Sequence, residues 1–207
     1  MSEPARRPAG RPRADNPIAA ETFRNAALNL FAEKNYSAVS VKDIAEATGM
    51  TASLIYYYFG CKDGLFLQVL EATIEKVFAI YAKISDPEVA PDAVLSNWLQ
   101  LNVDNFPLIQ KLIKISMDYS NTHSRTPEID AAIAHFYASE AKVLSSAIKR
   151  GVASGLFRPV DPTTITTLIS TFLDGAVVRP IICPDFNPLE AIGQFKGFLL
   201  QTLLAAR

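Results

Sequence analysis

Residues 39–59 read V-S-V-K-D-I-A-E-A-T-G-M-T-A-S-L-I-Y-Y-Y-F, and the fold is decided there. Ser40 with Asp43 three positions on makes a capping box, each side chain taking an N–H from the other's backbone. A short helix therefore starts at Val41. It carries Ile44 and Ala45 inward, and Ala45 must be small because a second helix crosses close to it. Gly49 falls where the chain turns sharply and a positive φ is required. Thr51 is placed to cap the next helix, which Ile55 and Phe59, one turn apart, fix to a core. Spacings of four and six residues between Ala45, Gly49 and Ile55 are those of a helix-turn-helix over residues 41–58.

Outward from that motif, helical periodicity runs from residue 17 to the end, and no segment alternates with period 2. Asn16-Pro17, Thr126-Pro127, Asp161-Pro162 and Asn187-Pro188 each set a capping side chain before a proline at the first helical position. The pattern predicts an all-α fold of about nine helices, near 17–34, 41–48, 52–58, 62–84, 92–105, 107–120, 127–151, 162–181 and 188–205. It divides into a flexible basic arm (1–16), an N-terminal three-helix helix-turn-helix domain (17–61) and a larger helical domain (62–207), for which the family resemblance given below implies ligand binding and dimerisation.

Composition narrows the function classes. Of 207 residues, 49% are apolar and 20% charged, which excludes disorder for the bulk of the chain. The net charge of −1, split as +1 over residues 1–65 and −2 beyond, is too small to hold a polyanion by itself, so a nucleic-acid reading rests on the motif. Residues 1–16 carry four arginines without an apolar run behind them, and no apolar stretch reaches the ~18 residues of a membrane span. Neither secretion nor a membrane is expected. Cys61 and Cys183 lack metal or disulfide spacing, which fits a reducing cytoplasm.

From residue 18 to 70 the chain resembles the tetracycline-repressor (TetR) family of bacterial transcription regulators. The resemblance lies in A-A-L-N-L-F-A-E-K-N-Y at 26–36, V-S-V-K-D-I-A at 39–45, T-G-M-T-A-S-L-I-Y-Y-Y-F at 48–59 and K-D-G-L at 62–65. It implies that the second helix of the pair enters the major groove with Thr51, Ala52 and Ser53 at base edges and Tyr57 reaching a base or a phosphate. Residues 51–59 contain no Lys or Arg, so base reading falls to hydroxyls and to apolar contact with thymine methyls. Phosphate contacts fall to Ser40, Lys42, Tyr56, Tyr58 and Lys62, the last beside the N-terminus of the fourth helix. Arg11 and Arg13 are placed to enter a neighbouring minor groove. Cys61 stands where the family often has Asn or Ser, which implies a weaker cap. The competing reading makes Ser40 and Thr51 caps only, Lys42 a solvated lysine and the arm a disordered tail. Three successive helical tyrosines, however, point 100° apart, so at least one is exposed.

In the second region, the last two helices spread apolar residues over far more than the ~100° a surface helix needs. The excess predicts a subunit contact through Leu168, Phe172, Phe195, Phe198 and Leu199, a homodimer that the resemblance also implies. For a pocket, Glu140 interrupts the stripe of Ile129, Ile133, Phe136, Val143 and Leu144, and Asn102 sits beside Trp98. A buried carboxylate is costly, so Glu140 is either neutralised by a Lys or Arg or reserved for a ligand. With Phe78, Tyr81, Trp98, Tyr119, Phe136 and Phe172 it would suit an amphipathic ligand with a cationic or hydrogen-bond-donating group. His123 and His135 lack metal-ligand spacing, and no catalytic motif is present, so neither an enzyme, a metal nor a cofactor is expected. These readings converge on a ligand-responsive regulator, a repressor, that binds double-stranded palindromic operator DNA as a homodimer and is released by a small-molecule inducer. The alternative is a protein of the same fold that organises the nucleoid or division without an inducer. An enzyme acting on an apolar substrate is a third reading, with no catalytic set to support it.

Overall fold

The computed structural model describes residues 17–81, 88–121 and 126–205. Among them the chain forms α1 (Pro17–Lys34), α2 (Val41–Thr48), α3 (Ala52–Phe59), α4 (Lys62–Tyr81), α5 (Pro91–Asp104), α6 (Phe106–Ser120), α7 (Pro127–Ala153), α8 (Pro162–Ile182) and α9 (Pro188–Leu203). The fold is all-α, as the periodicity predicts, with one isolated antiparallel bridge between Phe157 and Leu204 among the described residues. The expected arm with Arg11 and Arg13, and His123, lie outside those residues.

Local chemistry sets the helix ends. Thr126, Asp161 and Asn187 each accept a backbone N–H three residues on, ahead of a proline in the first turn. Gly49 takes the left-handed conformation at φ 66° and closes α2 by bonding back to the Ala45 and Glu46 carbonyls. One cap differs from expectation. The Thr51 hydroxyl makes no capping bond; the Leu54 N–H instead meets the Thr51 carbonyl at 3.0 Å, which leaves the side chain outside the turn. Cys61 does act as a cap, its sulfur accepting the Gly64 N–H at 3.3 Å.

Two apolar clusters organise the packing. One joins α1, α2, α3 and residues 65–74 of α4 through Phe23, Phe31, Ile44, Ile55, Phe59 and Leu65, then continues into Leu112, Ile115 and Tyr119 of α6 and Ile129 of α7. The other fills the remainder around Trp98, Leu144, Ile169, Leu173, Ile192 and Leu203. Burying a side chain of this size contributes roughly 1.5 to 3 kcal/mol. Eight-residue helices are unstable alone, so Ile44 and Ile55 in this shared core are what hold α2 and α3.

α8 bears on the membrane expectation. By length and composition it is apolar enough to cross a membrane, at 21 residues with a mean hydropathy of 1.4 over its best window. Its Thr166, Ile169, Leu173, Ala176 and Val177 are nevertheless buried against its neighbours α6, α7 and α9, while Leu168, Ile181 and Ile182 are exposed.

Candidate nucleic-acid interface and the cavities behind it

Because Ile55 and Phe59 turn inward, the opposite face of α3 is presented outward: Thr51, Ser53, Tyr56 and Tyr57 are exposed, and Ala52 and Tyr58 half-buried. Tyr56 and Tyr57 are 54% and 57% accessible, high values for large rings. Tyr58 leans on Phe23, with centroids 6.5 Å apart, and Tyr57 meets Tyr58 edge-on at 5.1 Å, which restrains its ring. At the start of α2, Ser40 is exposed and completes the capping box, its Oγ accepting the Asp43 N–H at 3.1 Å while its own N–H reaches the Asp43 carboxylate at 2.7 Å. The Ser40 backbone N–H, followed by its hydroxyl, holds the Asp43 carboxyl below the usual range. Lys42 is open to solvent, 3.6 Å from Glu46 in a surface pair of little worth that a phosphate could replace.

Lys62 behaves differently from the other candidate phosphate ligands. Its ammonium donates to the Tyr36 carbonyl and lies 4.0 Å from the centre of the Tyr36 ring. The Tyr36 N–H in turn donates to Asp118 on α6, and the Tyr36 hydroxyl to Asp63. Partial burial lowers the Lys62 pKa and raises that of Asp118, each opposed by the other's charge. The lysine expected on DNA is thus already engaged inside the chain, because the α4 N-terminus folds over the Tyr36 turn. Sequence reasoning misses Tyr36, Asp63 and Asp118 as a unit: 82 residues separate Tyr36 from Asp118, and no local spacing marks them.

The expected ligand set does not converge on one space. Trp98, Asn102, Tyr119 and Glu140 are buried in packed regions. Asn102 donates to the Trp98 carbonyl at 2.9 Å, and the Tyr119 hydroxyl bonds the Thr126 backbone. Phe172 stacks on Phe195 at 3.9 Å, and the Tyr81 side chain lies outside the described residues. Glu140 receives the Ser170 hydroxyl at 2.6 Å, and the charge that acts on it is the Asp174 carboxylate rather than a Lys or Arg. Burial, with Asp174 adding to it, pushes the Glu140 pKa up, so the interior resolves this charge by favouring the proton.

Open space lies elsewhere. A cavity of about 340 Å³ is walled by Leu70 and Ile74 of α4, by Leu112, Ile113, Ser116, Met117, Ser120 and Asn121 of α6 and its end, and by Ile133, Phe136 and Tyr137 of α7. A second, of about 430 Å³, is lined by Phe78, Val94, Val143 and Ala147 together with Lys142 and Arg150. Of the expected ligand residues, Phe136 lines the first and Phe78 the second. Tyr137, at the first, donates to Asp174 at 3.2 Å, and burial raises the pKa of both groups.

On the outer side of α8 and α9, Leu168 and Phe198 are 56% and 65% accessible, with Ile181, Ile182 and Leu189 exposed beside them. Phe172 and Phe195 are half-buried. Leu199, named with them as a partner contact, is only 5% accessible, because its side of α9 packs into the subunit's own core.

Residues 23–69 match the model of a family described as bacterial regulatory proteins, tetR family. The chain is 25% identical over 133 residues to the transcriptional repressor KstR2 of Mycolicibacterium smegmatis, a match that spans 64% of each chain. In three dimensions it is similar to the ketosteroid transcriptional regulator KstR2 of Mycobacterium tuberculosis, at a TM-score of 0.73 and 18% identity, covering 91% of this chain and 96% of that one. It is also similar to a transcriptional regulator from Saccharomonospora viridis in complex with choline, at a TM-score of 0.82 and 18% identity, covering 92% and 100%.

Proposed function

We propose that this chain, whose residues 23–69 match the tetR family of bacterial regulatory proteins, is a cytoplasmic, homodimeric repressor released from a palindromic operator by a small molecule. The observation that carries the reading is the outer face of α3, a row of hydroxyls and two exposed tyrosines on a helix fixed to a core from behind. Residues 17–61 serve as the DNA-binding head, with Thr51, Ala52, Ser53 and Tyr57 at the bases and Ser40, Lys42, Tyr56 and Tyr58 at phosphates. Lys62 serves instead to hold the head through Tyr36. Residues 62–207 bind the ligand and the second subunit, the latter through Leu168 and Phe198 with the Phe172 and Phe195 stack between them. Two heads then meet two half-sites one helical turn, or a multiple of it, apart.

The inducer occupies the 340 Å³ cavity. Its α6 wall residues Ser116, Met117 and Ser120 interleave with Asp118 and Tyr119, which touch Tyr36 of the head, so an occupant displaces the same segment that holds the head. A regulator of similar fold in complex with choline supports the binding of a small molecule by a protein of this shape. The test is genome-wide mapping of binding sites, followed by mobility shift on the recovered sequence. A small number of inverted repeats is expected; binding spread evenly along the chromosome would overturn the regulator reading and favour nucleoid organisation.

A further inference from the structure

The hollows of this molecule differ in charge. Lys142 and Arg150 line the one beside Phe78, and Glu71, Glu75 and Glu128 line another on the α4 and α7 surface. The cavity between α4, α6 and α7 has no Asp, Glu, Lys, Arg or His in its wall among the described residues. Six of its wall residues are Leu, Ile or Phe, and a polar edge is made by Ser116, Ser120, Asn121 and Tyr137.

Part of that edge is engaged within the chain. The Ser120 hydroxyl donates to the Ser116 carbonyl at 2.8 Å, and the Asn121 amide donates to the Met117 carbonyl at 3.0 Å. The Tyr137 hydroxyl donates to Asp174 at 3.2 Å. What remains is the lone pairs of the hydroxyl and amide oxygens together with the second Asn121 N–H and the Ser116 hydroxyl, so the edge can both accept and donate. An ionic headgroup placed in the cavity would give up its hydration without a counter-charge in the wall. A neutral polar end, an alcohol, a ketone or an amide, would find both donors and acceptors there.

We infer that this cavity binds an uncharged amphiphile with a small hydrogen-bonding polar end and a hydrocarbon body. The claim rests on the reading of this cavity as the inducer site, and it replaces the cationic ligand that Glu140 leads one to expect. Glu140 is absent from the wall, and Asp174 is turned to the Tyr137 hydroxyl.

The experiment follows Nile red fluorescence with the full-length protein and displaces the dye with four ten-carbon competitors below their micelle concentrations: decan-1-ol, 2-decanone, decanoate and decyltrimethylammonium. Decan-1-ol and 2-decanone are each expected to displace the dye at a concentration at least tenfold below either ionic compound. A smaller margin overturns the inference, as does a wild type that does not bind the dye. Ser116→Phe fills the cavity from a half-buried position, and Met117→Trp closes it from an exposed one. Either variant that melts like the wild type should lose the dye, while Val143→Phe in the cationic hollow should keep it; dye binding retained by a folded filled variant overturns the assignment. Operator release is scored separately. Displacement by decan-1-ol without release from DNA would remove the inducer reading and leave the ligand class standing.

Discussion

Tyr57 is the residue on which the DNA reading turns. It is exposed on α3, braced edge-on by Tyr58, and contributes little to the core, so its removal separates binding from folding. Tyr57→Ala is expected to weaken operator binding by about 1 to 3 kcal/mol with an unchanged melting curve; wild-type affinity in a mobility shift would remove it from the interface. Glu140 makes the opposite case, a residue whose chemistry lies wholly inside. Its folded pKa is raised above the unfolded value by burial, so the favourable contribution is complete below about pH 4.5 and is lost as pH rises through the folded value. Glu140→Gln should therefore melt higher than the wild type at pH 8 and alike at pH 4, read by thermal unfolding at both. A mutant that melts lower at pH 8 would mean the carboxylate is held charged. The position of Glu140 on an apolar stripe was legible in the sequence; its remedy was not, because Ser170 and Asp174 reach it from a helix 30 or more residues away.

Among the elements, α6 does two jobs that its sequence does not announce. Leu112, Ile115 and Tyr119 enter the core of the head, Asp118 holds the Tyr36 N–H, and Ser116, Met117 and Ser120 wall the cavity. Asp118→Ala leaves the buried Tyr36 N–H without its acceptor and should cost about 1 to 3 kcal/mol in urea unfolding. Lys62 belongs to the same contact. A lysine free to meet phosphate changes the salt slope of operator binding by about 1 when removed. With its ammonium on the Tyr36 carbonyl, Lys62→Met should leave the slope nearly as it is; a full unit of change would place Lys62 on the DNA. By contrast, α2 and the proline-led starts of α7, α8 and α9 were readable residue by residue, since a cap and its N–H lie three positions apart.

For the whole molecule the open apolar face of α8 and α9 is the feature that a single subunit leaves unexplained. Phe198 tests it, because the side chain is 65% accessible and its loss does not empty the core, whereas Leu199 is buried and would destabilise either way. Phe198→Glu is expected to give folded monomers by light scattering. Operator affinity should fall steeply with it, since two half-sites are then no longer engaged as one unit. A dimer that survives the substitution would move the contact to another face.

The sequence by itself determined the helices, their ends and the inward set of the helix-turn-helix, because periodicity, capping and glycine geometry act within a few residues. It also determined that α3 carries hydroxyls and rings where forked cations are absent, a matter of composition alone. Only the tertiary structure decided which polar groups meet. Tyr36 with Asp118, Glu140 with Ser170 and Tyr137 with Asp174 are separated by 82, 30 and 37 residues and owe their contact to how the helices pack. The cavity is likewise a property of packing, the space that side chains of α4, α6 and α7 leave between them, and its uncharged wall follows from which faces those helices turn toward one another.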